Sequence, residues 1–136
     1  MRTLHNIDLK NNESGFTLRW QDRLILSHTA DAPCLWIGAG EADIAMFRGN
    51  FSIQDKLNDK IALTDATVTQ QTVGWAIRLT RGDAVSATLL VGVDAEGRLE
   101  LKLKNDAPGH NRIWLRLAAQ PEDHIYGCGE QFSYFD

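Results

Sequence analysis

The sequence predicts an all-β protein, an antiparallel β-sandwich, and three observations carry the prediction. Apolar residues recur with period two rather than 3.6. Turn residues interrupt the alternating runs at regular intervals, as they do in sandwiches. Only two stretches, "EADIAMFRG" and "SIQDKLNDKIAL", could hold a helical turn. Eight or nine strands with no helix between them are expected.

The elements follow in order. "GFTLRW" sets Phe16, Leu18 and Trp20 against Thr17 and Arg19, and the polar pair Gln21-Asp22 turns it into "RLILSH". "PCLWIG" is a short apolar run closed by glycine. The two ambiguous stretches are expected to be short turns or irregular strands, with Phe51, Ile53 and Asp55 on one side of the second. "GWAIRLTRG" alternates Trp75, Ile77 and Leu79 against Ala76, Arg78 and Thr80. The clearest unit is "VSATLLVGVDAEGRLELKLKND". Its two runs flank Asp94–Gly97, with Gly97 suited to a positive φ. Leu99, Leu101 and Leu103 then face a core, while Arg98, Glu100, Lys102 and Lys104 face water. After the turn "NDAPGHN", "NRIWLRLAAQ" points Ile113, Leu115 and Leu117 inward. Trp114 falls on the opposite side, beside Arg116, and is expected to be partly exposed or covered by a second layer.

Composition bounds the function. The 136 residues suit one domain, 1–136, with 43% hydrophobic and 24% charged residues. The net charge of −4 and the lack of a Lys/Arg cluster argue against nucleic acid as a partner. No apolar run approaches the ~18 residues of a membrane-spanning helix. "MRTLHNIDLKNNESG" lacks the apolar core of a signal peptide. A cytoplasmic protein with Cys34 and Cys128 reduced is therefore expected. No His or Cys pair has metal-ligand spacing. His5, His28, His110 and His124 are expected on the surface or in loops, and neither metal nor cofactor is implied.

The densest chemistry lies in "HIYGCGEQFSYFD", residues 124–136. Its G-x-G lacks the third glycine and following helix of a dinucleotide site. Cys128 has His124 four residues away but no third group to orient a base, so a buried small hydrophobe is the better reading. Trp20 and Trp75 alternate as core residues. Trp36 and Trp114 are the only candidates for an exposed sugar-stacking row.

The segment "GHNRIWLRLAAQPEDHIYGCGEQFSYFD" resembles the N-terminal β-domain of glycoside hydrolase family 31, the α-glucosidase family. The turn Tyr126-Gly127-Cys128-Gly129-Glu130 matches that family's Y-G-x-G-E. "RLILSH", "CLWIG", "ADIAMFRGNFSIQDKL" and "KIALTDATV" are similar to the bacterial sulfoquinovosidase branch, and the likeness runs from about Phe16 to Asp136. The resemblance implies a galactose-mutarotase-like supersandwich, cut before its last strands, that precedes a catalytic (β/α)8 barrel absent from this chain. It implies a parent enzyme that hydrolyses α-glycosides, sulfoquinovosides among them, with retention. Both catalytic carboxylates would lie on the barrel and none in this chain. Glu130 and Gln131 become candidates for the substrate-pocket rim, and Tyr126, Gly127, Cys128 and Gly129 for an interdomain turn. Glu130 as a simple cap of that turn stands beside this reading at even weight. The implied partners are the missing barrel and a carbohydrate. Self-association of the fragment through Tyr126, Phe132, Tyr134 and Phe135 is also expected. Two other classes remain open: a stand-alone carbohydrate-binding module, and a mutarotase-like epimerase using His124 and Glu130.

Overall fold

The structure, a computed structural model, describes residues 6–83 and 85–124. Among these residues there are ten strands and no helix. They are β1 (Ile7–Asn12), β2 (Gly15–Trp20), β3 (Arg23–Thr29), β4 (Leu35–Phe47), β5 (Asn50–Ala62), β6 (Asp65–Gln71), β7 (Gly74–Arg81), β8 (Val85–Val93), β9 (Leu99–Asn105) and β10 (Arg112–Leu115). They form three antiparallel sheets, β1-β2-β3, β10-β4-β5 and β6-β7-β8-β9. The all-β sandwich read from the period of two is what the chain adopts.

The alternation sets the faces. Phe16 and Leu18 of β2, Leu26 of β3, and Ile77 and Leu79 of β7 all point into one core. Leu35 and Ile37 of β4 enter the same core, so the three sheets share it. Leu99, Leu101 and Leu103 pack on its margin half-buried, while Lys102 and Lys104 face water. Trp75 is buried as expected, and Trp20 packs against the core half-buried. The Trp20 indole N–H is buried without a hydrogen-bond partner among the described residues.

The turns follow their residues. Gln21 and Asp22 both take positive φ, 52° and 64°, in the two-residue β2–β3 turn. The Asp94 carboxylate accepts from the backbone N–H of Glu96 and of Arg98, both at 2.9 Å, which fixes the β8–β9 loop. Gly97 has φ of 81°, as its position required.

Four expectations are corrected in whole or in part. The two ambiguous stretches are not turns: they belong to the two 13-residue strands β4 and β5, joined at Arg48-Gly49, and the irregularity expected of them is confined to a register shift between Ala39 and Gly40. The strand count therefore exceeds eight or nine, and the quiet segment Ile7–Asn12 adds β1. "PCLWIG" is not closed by its glycine. β4 runs on through Gly38, where a Cβ would lie 2.2 Å from the Asp59 carbonyl oxygen and 2.9 Å from the Trp114 ring. The glycine there admits close packing rather than ending the strand. Finally, Ile113 shares the face of its partner Ile37, as its parity requires, but Ile113 and Leu117 stay exposed and only Leu115 packs against the core. β10 is an edge strand of four residues, so no described strand lies beyond it to cover them.

Leu89 is fully buried on β8, and Lys102 is solvated on β9. Leu89→Ala should cost about 2–5 kcal/mol through lost burial and a residual cavity. Lys102→Ala should stay within ~0.5 kcal/mol. Urea midpoints of the two variants check this; comparable losses would contradict the register of β8 on β9.

Candidate functional site

Three groupings of chemistry-bearing side chains stand out among the described residues. The first is an aromatic and cationic patch on the outer face of sheet β10-β4-β5. Trp114 lies directly opposite Trp36, and Gly38 leaves room for the Trp114 ring. The Lys60 ammonium sits 4.7 Å from the Trp114 ring centroid and 5.7 Å from that of Trp36. Both indoles are half-buried, and the Lys60 ammonium lies over the ring of each. Beside them the Arg112 guanidinium grips the Asp55 carboxylate through two nitrogens, with Nε at 3.0 Å from Oδ2. That pairing holds the Asp55 carboxyl below the usual carboxylate range.

The second grouping is His28, which is only 2% exposed and stacks on Phe16 with ring centroids 5.2 Å apart. Its Nδ1 accepts from the Cys34 backbone N–H at 3.2 Å, so Nε2 carries the proton and donates to the Thr64 carbonyl at 3.0 Å. The expectation of a surface or loop histidine is overturned here, because both ring nitrogens satisfy backbone groups that the core would otherwise strand. Burial is the main reason its pKa lies below the ordinary value. Burial likewise pushes the Cys34 thiol up to about 11, which makes it inert as a nucleophile.

The third grouping is the segment that follows β10. Arg116 acts as a clamp: its guanidinium donates to the carbonyls of Ser27 at 3.0 Å, Ala32 at 2.8 Å and Pro33 at 3.3 Å. Its own N–H donates to the Cys34 carbonyl, and the Ala118 N–H to that of Ile25, both at 2.8 Å. Further on, Asp123 pairs with Arg23 and accepts from the Gln120 N–H at 2.7 Å. The Arg23 contact is the largest influence holding the Asp123 carboxyl low. A cavity of about 560 Å³ opens here, between the apolar side chains of Leu115 and Leu117 and the polar ones of Arg23, Glu122, Asp123 and His124.

The chemistry of these groupings is that of positioning. Asp55, Asp94 and Asp123 all have lowered pKa values, set by arginine or backbone donors. A glycosidic general acid needs the reverse, a carboxyl whose pKa is raised. Among the described residues no group of three or more His, Cys, Asp or Glu side chains is arranged to hold a metal ion. Tyr126, Gly127, Cys128, Gly129, Glu130 and Gln131, the residues singled out by the sequence, lie outside the described residues. So do His5, Phe132, Tyr134 and Phe135. The described structure does bring His124 to the lip of the cavity, immediately before that segment.

Comparison with known proteins gives this arrangement its context. No family model matches the chain. A sulfoquinovosidase of Escherichia coli K12 is 68% identical over 133 residues, which make up 98% of this chain and 20% of that enzyme. A sulfoquinovosidase of Agrobacterium fabrum C58 is 35% identical over 127 residues, 93% of this chain and 18% of that enzyme. The chain is similar to one part of a sulfoquinovosidase. Among solved structures, a glycoside hydrolase family 31 sulfoquinovosidase from E. rectale, bound to the aza-sugar inhibitor IFGSQ, superposes with a TM-score of 0.71 at 32% identity. That match covers 94% of this chain and 18% of the other. The resemblance read from the sequence is borne out, and it reaches further toward the N-terminus than Phe16. The chain spans about one-fifth of the length of the curated relatives it matches.

Sequence reasoning missed His28 and Arg116 as organising residues. A lone histidine in an alternating strand carries no signal of the carbonyl it will meet. The inward parity of His28, shared with Phe16 across β2–β3, was the available hint.

The His28 geometry has a pH consequence. Its folded-state pKa is depressed, so above the unfolded value near 6.5 the group is neutral in both states. As pH falls through 6.5 the unfolded chain takes up a proton that the folded chain resists. Stability therefore falls, by at most about 1.4 kcal/mol per pH unit, until the folded pKa is passed. Urea titrations between pH 7.5 and 5.5 should show this slope, and His28→Gln should flatten it. The low-lying carboxylates Asp55, Asp94 and Asp123 act only in a separate window, below their ordinary value of 3.8.

Proposed function

We propose that this chain is the N-terminal, non-catalytic β-domain of a retaining α-glycosidase of glycoside hydrolase family 31 that hydrolyses α-sulfoquinovosides in the cytoplasm. The observation that carries the reading is the 68% identity to the E. coli sulfoquinovosidase along 98% of the chain. In this reading a catalytic barrel in the same polypeptide supplies the nucleophile and the acid/base. Retention requires those two carboxyls about 5–5.5 Å apart on opposite sides of the anomeric carbon.

The domain's own contribution is support. The Arg116 clamp and the Arg23–Asp123 pair fix the segment leading to residue 125 against β3. The turn Tyr126-Gly127-Cys128-Gly129 then delivers Glu130 and Gln131 to the pocket rim. There a carboxylate and an amide orient cations of the barrel or hydroxyls of the sugar. The remaining strands of a mutarotase-like supersandwich follow in the longer polypeptide.

The test compares the 136-residue chain with the full polypeptide that carries it, using a nitrophenyl α-sulfoquinovoside. The full polypeptide should turn the substrate over and the isolated chain should not. Activity of the repurified isolated chain, or none in the full polypeptide, would overturn the reading. In the full polypeptide Glu130→Gln should lower kcat/KM by about 10–100-fold. An unchanged kcat/KM would confine Glu130 to capping the turn.

A further inference from the structure

The imidazole of His28 is held from two sides, and the two holds are unequal. On the β3 side it is fixed. The ring stacks on Phe16 at an interplanar angle of 10°. Phe16 and His28 are register partners across β2–β3, and a Cβ on the neighbouring Gly15 would collide with the His28 carbonyl. β3 therefore cannot shift there without displacing β2. On the other side Nδ1 accepts from Cys34, the last residue of the crossing 30–34, which belongs to no strand. That crossing is a tight reversal, closed by two backbone bonds of 3.2 Å between Thr29 and Ala32. Residues 30–32 are exposed.

The same crossing holds the segment behind β10. The carbonyls that the Arg116 guanidinium reaches are those of Ala32 and Pro33 in the crossing and of Ser27 just before it. The Arg116 N–H donates to the Cys34 carbonyl. Cys34 is thus bonded to the imidazole through its N–H and to Arg116 through its carbonyl. One residue separates the histidine from the clamp.

A path for a proton exists. A cavity of about 170 Å³ lies between the β1–β2 turn and the start of β6, and His28 forms part of its wall beside Glu13, Ser14, Thr64 and Asp65. The charged groups around the ring are Asp65 and Glu13 on the cavity side and Arg116 on the crossing side. Phe16 carries no charge, and the Cys34 thiol, with its pKa pushed up to about 11, stays neutral.

We propose that proton uptake by His28 releases the crossing 30–34, and with it the Arg116-bound segment 116–124, while the three sheets stay formed. The proton adds to Nδ1 and turns it from an acceptor into a donor, so that it faces the Cys34 N–H across 3.2 Å with no lone pair to offer. The bond from Nε2 to the Thr64 carbonyl survives and strengthens, because its donor is now charged. The ring stays and the crossing yields. The new cation also repels the Arg116 guanidinium, which weakens the clamp from the same point. Water can take over the freed groups, since the crossing already lies at the surface. On the function proposed above, the released segment leads to the pocket rim, so rim placement becomes acid-sensitive. The switch itself does not rest on that reading.

Hydrogen exchange of the full polypeptide tests this, read peptide by peptide and corrected for the intrinsic pH dependence of amide exchange. Its outcome is independent of catalysis. Between pH 7.5 and 5.5 the peptides covering 30–34 and 115–119 should open up to about 10-fold more often, the limit set by one proton bound with an ordinary pKa of ~6.5 in the opened state. Their exchange should barely respond to low urea, because a local opening exposes little surface. Amides of β8 should exchange far more slowly and respond steeply to urea, as unfolding of the whole domain does. His28→Gln offers Thr64 a donor and Cys34 an acceptor at either pH, and should cancel the acid response. Arg116→Lys keeps the charge and loses the fork. It should expose the same two peptides already at pH 7.5, which decides the coupling if His28→Gln fails to fold. An acid response below ~2-fold, an equal response in His28→Gln, or exchange at 30–34 with the urea dependence of β8 would each overturn the proposal. So would opening of 30–34 that leaves 115–119 protected, or an Arg116→Lys variant that exchanges like the wild type.

Discussion

One imidazole joins the three sheets. His28 belongs to β3, it accepts from Cys34 just before β4, and it donates to Thr64 just before β6. No sheet here is large enough to enclose a core alone, so each must be held against the others where the chain crosses between them. At those crossings the backbone is buried but has no strand partner, and a buried backbone group without a partner costs roughly 1–3 kcal/mol. A neutral imidazole, with one donor and one acceptor, fits such a junction. The Leu63 N–H bonding to the Leu35 carbonyl and the Arg116 clamp complete the same junction from either side. The apolar core follows from this alignment, for Leu26, Leu35 and Leu63 converge on it only while the crossings stay closed.

The molecule divides into a region governed by this junction and a region beyond its reach. In the body the inward side chains of all three sheets meet, and alternation translates into burial. On the β4–β5 hairpin beyond Gly40 the same alternation yields an apolar face with nothing of the described chain above it. The outer patch lies between the two. Trp36 and Trp114 are covered by the stem and ammonium of Lys60 rather than by a second layer of strands. Local sequence rules are obeyed equally in all three regions, and what differs is the supply of a partner surface.

That difference explains what the sequence could and could not disclose. β2, β3, β7, β8 and β9 were legible because each is half-buried, so period two appears as clean apolar–polar alternation. The strands of the β4–β5 hairpin were harder to read. Asp55 interrupts the apolar parity of Phe51, Ile53 and Leu57, and Arg-Gly is a weaker hairpin signal than Asn-Gly. β1 has only Ile7 and Leu9 to declare it. Ile113 and Leu117 misled for the opposite reason: apolar alternation continues on an edge strand whether or not anything covers it. The family likeness was legible in short runs scattered along the chain. The roles of His28 and Arg116 were not, because each acts through backbone carbonyls, and a carbonyl is the same in every residue.

The return of β10 to β4 has a consequence for how the molecule is assembled. Every other pairing among the described strands joins consecutive strands, so two meanders and the β4–β5 hairpin can form from local contacts as the chain lengthens. β10 must instead find a strand whose partner atoms lie far back in the chain. The Asn111 side chain, which bonds both backbone groups of Gly40, does so across 71 residues. Closing so long a loop costs conformational entropy before any contact compensates for it. The four-residue β10 is therefore the natural last arrival, a latch that closes on an already formed hairpin. Arg116 and the segment behind it can take their places only once that latch is shut.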